Sequence, residues 1–89
     1  MRRTVAITNA RGLHARASAK FVGIVAQLPE GTGVRVVRDG NEAAGGSILG
    51  LMMLGAAKGD EIEIITSGDG AEEALARLVE LVENRFGEE

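Results

Sequence analysis

The sequence predicts an α+β domain in which one layer of antiparallel, or mostly antiparallel, sheet lies under one layer of helices, in the order β-α-β-β-α-β-α. Three observations carry this. Short alternating segments around residues 4–8, 34–38 and 60–67 are separated by stretches of helical periodicity. Asp39-Gly40 stands between two extended runs, and a two-residue primed turn is the connection such a dipeptide favours. The chain has 89 residues, enough for one core and one helical cover. An antiparallel sheet tolerates a solvated second face.

Each element has its own signal. Thr4 to Thr8 alternates, with Val5 and Ile7 on one side, and is expected to be the first strand. Asn9 to Gly12 is a loop. Ala15 to Leu28 has the period of a helix, with Ser18, Phe21, Val22, Val25 and Leu28 on one face, and Pro29 to Gly33 ends it. Val34 to Arg38 and Asn41 to Ala44 form the hairpin. Ser47 is an N-cap for a short helix from Ile48 to Leu54, closed by Gly55 as a left-handed C-cap. Asp60 to Ser67 is a strand with Ile62 and Ile64 inward. Asp69 is expected to cap the last helix, with Glu72 completing a capping box. Ala74, Leu75, Leu78, Val79 and Val82 make its apolar face, and Glu73 pairs with Arg77 on the other side. The tail Gly87-Glu88-Glu89 is expected to be loose.

Composition removes several function classes. There is no cysteine and one histidine, so disulfides and a structural zinc site are not expected. Net charge is −3, with no basic stripe and no tyrosine or tryptophan, which disfavours nucleic-acid binding. No run is long enough to span a membrane, and the first residues show no leader pattern, so the default expectation is a soluble intracellular protein. Aromatic residues are 2 % of the chain, so aliphatic side chains must fill the core.

The single histidine, His14, stands where a loop turns into a helix. Imidazole is a competent nucleophile near neutral pH. The free N–H groups and positive dipole end of a first helical turn favour an anion attached there. Arg16, two residues on, offers a planar fork for phosphate oxygens. These features describe a phosphate-accepting histidine, and they equally describe a surface histidine that only caps a helix. No carboxylate lies close in sequence to orient the ring, which argues against general-base catalysis. The second informative segment is Ser47 to Leu54. A two-turn helix buries one stripe, so with Leu51 and Leu54 inward, Ile48, Leu49 and Met52 face outward as a partner surface, unless the helix is buried all round.

Two motifs carry a resemblance. Gly12-Leu13-His14-Ala15-Arg16 resembles the active-site signature of the HPr family, the histidine phosphocarriers of the phosphoenolpyruvate phosphotransferase system. Ser47 to Gly55, followed by Ala57-Lys58-Gly59 and an isoleucine-rich strand, resembles that family's regulatory-serine segment. The resemblance spans essentially the whole chain. It implies an open-faced β-sandwich, a four-stranded antiparallel sheet covered on one face by three helices, in a single domain. It implies a cytoplasmic monomeric carrier rather than an enzyme, without metal or cofactor. His14 matches the histidine that takes a phosphoryl group on Nδ1 from phospho-enzyme I and passes it to EIIA domains. Arg16 matches the arginine that contacts the phosphoryl group. Ser47 matches the serine that HPr kinase/phosphorylase modifies in bacteria that have that enzyme. Ala15, Ala17, Lys20, Ile24, Ile48, Leu49 and Met52 match the surface presented to partners. The form Gly12 to Ser18 resembles the nitrogen-regulatory variant, NPr, of some proteobacteria.

The chain departs from the family at Ala17, where proline is usual, at Gly46, where many relatives have lysine, and at Gly23 and Ile24, where many carry charge. The rival reading is a regulatory interaction module that acts through Ser47 and the apolar patch without phosphotransfer.

Overall fold

In a computed structural model describing residues 1–88, strands β1 (Arg2–Ala6), β2 (Thr32–Arg38), β3 (Asn41–Ala44) and β4 (Glu61–Gly68) form one antiparallel sheet in the order β1-β4-β2-β3. Helices α1 (Ala15–Val25), α2 (Ile48–Met53) and α3 (Ala71–Glu83) cover one face, and a 3₁₀ turn, Arg85–Gly87, follows α3. This is the open-faced sandwich expected from the sequence.

Strand alternation sets which face is covered. Val5, Val36, Ile62 and Ile64 turn inward and are buried, with Val5 opposite Ile62 and Val36 opposite Ile64. Ile65 is the one large apolar side chain of β4 on the open face. It is shielded there because the register puts Arg2 and Arg35 on either side of it, and arginine stems can cover apolar surface. Arg2 pairs with Glu63 and Arg35 with Glu42 on the same face.

The hairpin turn has φ of 49° at Asp39 and 80° at Gly40, the two positive angles a primed turn requires. The apolar face of α3 is as expected: Ala74, Leu75, Leu78, Val79 and Val82 are all buried.

Several expectations are corrected. The N-cap of α3 is Gly70, left-handed at φ 65°, without a side-chain cap bond. Asp69 is engaged elsewhere: its N–H donates to Gly31 O at 3.2 Å, and its carbonyl accepts the Thr32 hydroxyl. Arg77 does not pair with Glu73 but donates to Gln27 Oε1 at 2.9 Å, tying α3 to the end of α1. Helix α1 stops at Val25, because Gln27 and Leu28 tighten onto Ile24 O and Val25 O ahead of Pro29. The tail is not loose through Glu88. Phe86, one of two aromatic residues, is fully buried with Phe21 in the core. Removing a phenylalanine from water contributes about 1.5–3 kcal/mol. Glu89 lies outside the described residues.

Candidate functional site

His14 is the N-cap of α1. Its backbone is extended, at φ −74° and ψ 179°, and its carbonyl accepts Ser18 N–H at 2.9 Å. The ring also caps: Nδ1 accepts Arg16 N–H at 3.3 Å. The other ring nitrogen, Nε2, lies 2.6 Å from Oε2 of Glu88. The two contacts assign the tautomer. Nδ1 faces a donor and therefore carries the lone pair, while Nε2 faces a carboxylate and carries the proton.

Glu88 is held from several sides. Asn9 Nδ2 donates to Glu88 Oε1 at 3.1 Å and to Gly12 O at 2.9 Å, which joins the tail to the His14 loop. Asn9 is fully buried, and its Oδ1 has no hydrogen-bond partner among the described residues. Lys20 Nζ donates to Phe86 O at 2.6 Å, anchoring the tail to α1. Partial burial pushes the Glu88 carboxyl up. The hydrogen bonds from His14 and Asn9, with the charge of Lys20, outweigh it and hold the group below its ordinary value. The carboxylate that sequence proximity does not supply thus comes from the far end of the chain. The usable hint was Phe86: in a chain with two aromatics, one near the end marks an anchored tail.

The loop before His14 is fixed by close packing. Leu13 N–H donates to Ala56 O at 3.0 Å, and Ser18 Oγ donates to Leu13 O at 3.3 Å. Gly12 has φ 64°, and a Cβ there would lie 2.4 Å from Ala56 O, so only glycine fits.

Arg16 and Ala15 are exposed beside His14 in the first turn. The Arg16 guanidinium makes no hydrogen bond or ion pair with the described residues. Ala17 is corrected: its side chain is fully buried in the core and is not part of a partner surface. Methyl side chains at positions 15 and 17 differ because position 17 turns under the helix with Phe21. Lys20 is exposed along its stem with its ammonium on the tail carbonyl. Ile24 is half-buried and lines a cleft between α1 and α3 with Arg77, Leu81 and Asn84.

Helix α2 presents the apolar patch. Leu51 and Leu54 are buried, while Ile48 and Met52 are 40 % exposed and Leu49 68 %. Met53, at 76 %, is the most exposed of them and extends the patch beyond what the spacing suggested. Ser47 Oγ accepts Gly50 N–H at 2.9 Å and caps the helix. Gly46 faces open space, so packing does not exclude a longer side chain there. Helices α1 and α2 lie against each other, which puts the His14 turn and the patch on one layer. No helix among the described residues is long and apolar enough to cross a membrane.

The family model described as "PTS HPr component phosphorylation site" matches residues 1–84. Phosphocarrier protein HPr of Pseudomonas aeruginosa is 47 % identical over 85 residues, covering 94 % of this chain and 92 % of its own. Phosphocarrier protein NPr of Escherichia coli is 37 % identical over 92 residues, covering 100 % of this chain and 98 % of its own. The crystal structure of HPr-C-His from Thermoanaerobacter tengcongensis superposes with a TM-score of 0.92 at 37 % identity, covering 100 % of this chain and 98 % of that one. With both motifs in place on this fold, the chain belongs to the HPr family of phosphocarrier proteins of the phosphotransferase system.

Proposed function

We propose that Nδ1 of His14 takes a phosphoryl group from phospho-enzyme I and passes it to a histidine of an EIIA domain, with the protein working as a cytoplasmic monomer. The observation that carries this reading is the division of labour between the ring nitrogens: Nδ1 toward the first turn of α1, Nε2 on Glu88. In the step, the Nδ1 lone pair forms the new N–P bond as the donor's bond to phosphorus breaks. The Nε2 proton stays in place, and the Glu88 carboxylate meets the positive charge that develops on the ring. The incoming oxygens replace Nδ1 as acceptors for the Arg16 N–H, at the positive end of the helix. The Arg16 guanidinium closes over the equatorial oxygens. Stabilisation by so few donors suits a carrier, since a group bound too tightly does not leave.

Docking is assigned to the patch of Ile48, Leu49, Met52 and Met53 together with Ala15, Arg16 and Lys20 on α1. Ser47, which borders the patch, is the site where HPr kinase/phosphorylase would add a phosphate. A helix N-terminus accepts that charge, but a partner closing on the patch would have to desolvate it.

The test is phosphorylation with purified enzyme I and phosphoenolpyruvate. The product should be acid-labile and base-stable, as a P–N bond is, and it should disappear in His14→Ala. Labelling of the His14→Ala protein would overturn the assignment.

A further inference from the structure

Arg38 ends β2 on the face turned to the helices, in line with Val34 and Val36. Its guanidinium grips the segment that leaves α2. Nη1 donates to Leu54 O at 3.0 Å, and Nη2 lies 3.0 Å from Asp60 Oδ2. The same Asp60 oxygen accepts Ala57 N–H at 2.9 Å. Residues 54–57 are therefore held from one side by this ion pair, alongside the backbone bond from Asp60 N–H to Ala57 O at 2.9 Å. Their other side carries the His14 loop, through the bond from Leu13 N–H to Ala56 O and the contact of Gly12 with Ala56 and Ala57.

We propose that Arg38 and Asp60 are positioning residues for His14, a clamp that fixes the 54–57 strap and so sets the seat of the Gly12–Leu13 loop relative to α2. The proposal rests on the phosphotransfer reading of His14. The physical case has three parts. A helix of six residues has little ladder of its own, and the carbonyl at its C-cap, Leu54 O, is satisfied from outside. A guanidinium serves a carbonyl and a carboxylate at once, which an ammonium cannot do with the same geometry. The pair is also partly shielded, with side-chain exposures of 25 % and 34 %, against 50 % and 51 % for Arg35–Glu42 on the open face.

The experiment compares Arg38→Gln, Arg38→Lys and Asp60→Asn with Arg35→Gln as control. Two quantities are read on each: amide hydrogen exchange at Leu13 and Ala57 relative to the core amides of Val36 and Ile64, and the rate at which enzyme I phosphorylates His14. Arg38→Gln should speed Leu13 exchange about tenfold while Val36 and Ile64 hold, and should slow phosphorylation about three- to tenfold. Arg38→Lys should recover only part of both effects, Asp60→Asn should release Ala57 most, and Arg35→Gln should change neither. Unchanged exchange at Leu13, or a rise there no larger than in the core, overturns the clamp. Should Arg38→Gln fail to fold, Asp60→Asn carries the same comparison. If the unmodified protein takes no label, the phosphotransfer reading fails, and Leu13 exchange still decides whether the clamp exists.

Discussion

His14 and Glu88 stand 74 positions apart in sequence, yet Nε2 of one lies 2.6 Å from Oε2 of the other. The contact brings the tail to the ring proposed to accept phosphate and gives the first prediction. Glu88→Gln keeps a hydrogen-bond acceptor but removes the charge that meets the ring. Phosphorylation of His14 by enzyme I is expected to slow about three- to tenfold, with circular dichroism unchanged. An unaltered rate would reduce Glu88 to a tail anchor.

Arg16→Ala should slow transfer more than it weakens docking, because the proposed phosphotransfer puts the guanidinium on the phosphoryl oxygens and not on the partner. Loss of one charge-assisted contact of this kind is worth roughly 1.5–3 kcal/mol, or about ten- to a hundredfold in rate. Steady-state kinetics against enzyme I separates the two: kcat should fall while KM stays close to that of the parent.

Phe86→Ala should cost about 3–5 kcal/mol in urea unfolding, since the ring is fully buried. The same variant should free Glu88 from His14. Its phosphorylation rate at a temperature where it is still folded should therefore approach that of Glu88→Gln. A folded Phe86→Ala protein with the parent's rate would disconnect the tail from the site.

The pH dependence of tail docking follows from the sign of the Glu88 shift. Its carboxyl is held below the ordinary 4.5 in the folded chain. Its contribution is therefore fully present above that value and is lost as pH falls through the lower, folded one. The Asn9 side-chain amide and the Phe86 ring, followed by NMR, should hold their positions down to 4.5 and move only below it. Glu88→Gln should abolish that movement.

Ser47→Ala removes the acceptor of the Gly50 N–H and should destabilise the protein by about 1 kcal/mol without affecting phosphorylation of His14. Protein phosphorylated on Ser47 should show the opposite pattern: an intact fold and a slower reaction with enzyme I. Equal rates for the phosphorylated and unmodified proteins would leave Ser47 as a cap only.

What the sequence made legible was local. The apolar face of α3 was readable because its residues repeat at helical spacing, and the Asp39-Gly40 turn because few dipeptides accept two positive φ angles. His14, Arg16 and Ser47 were legible as residues at helix starts. The partners of those residues were not. Glu88, Asn9 and Ala56 reach the site through tertiary packing, and no spacing rule links position 88 to position 14. Asp69 misled for a related reason: its backbone N–H and carbonyl are tied to Gly31 and Thr32, and the left-handed Gly70 after it took the cap. Ala17 misled because Ala15 and Arg16, just before it, are exposed while its own position, like Ser18, turns inward.

The edges of the sheet have a consequence for how this molecule meets others. At one edge, β1 carries Arg3 on the covered side, reaching Glu83 of α3 at 3.7 Å, and Arg2 on the open side, near Glu63. At the other edge, β3 is four residues long and begins directly after a tight turn. Inward-aimed charge and a very short strand both discourage a foreign strand from adding to a sheet. Backbone-mediated recruitment is thereby disfavoured at both edges. On the helical layer a visitor would meet side chains rather than main chain, and contacts of that kind can be broken as readily as they are made.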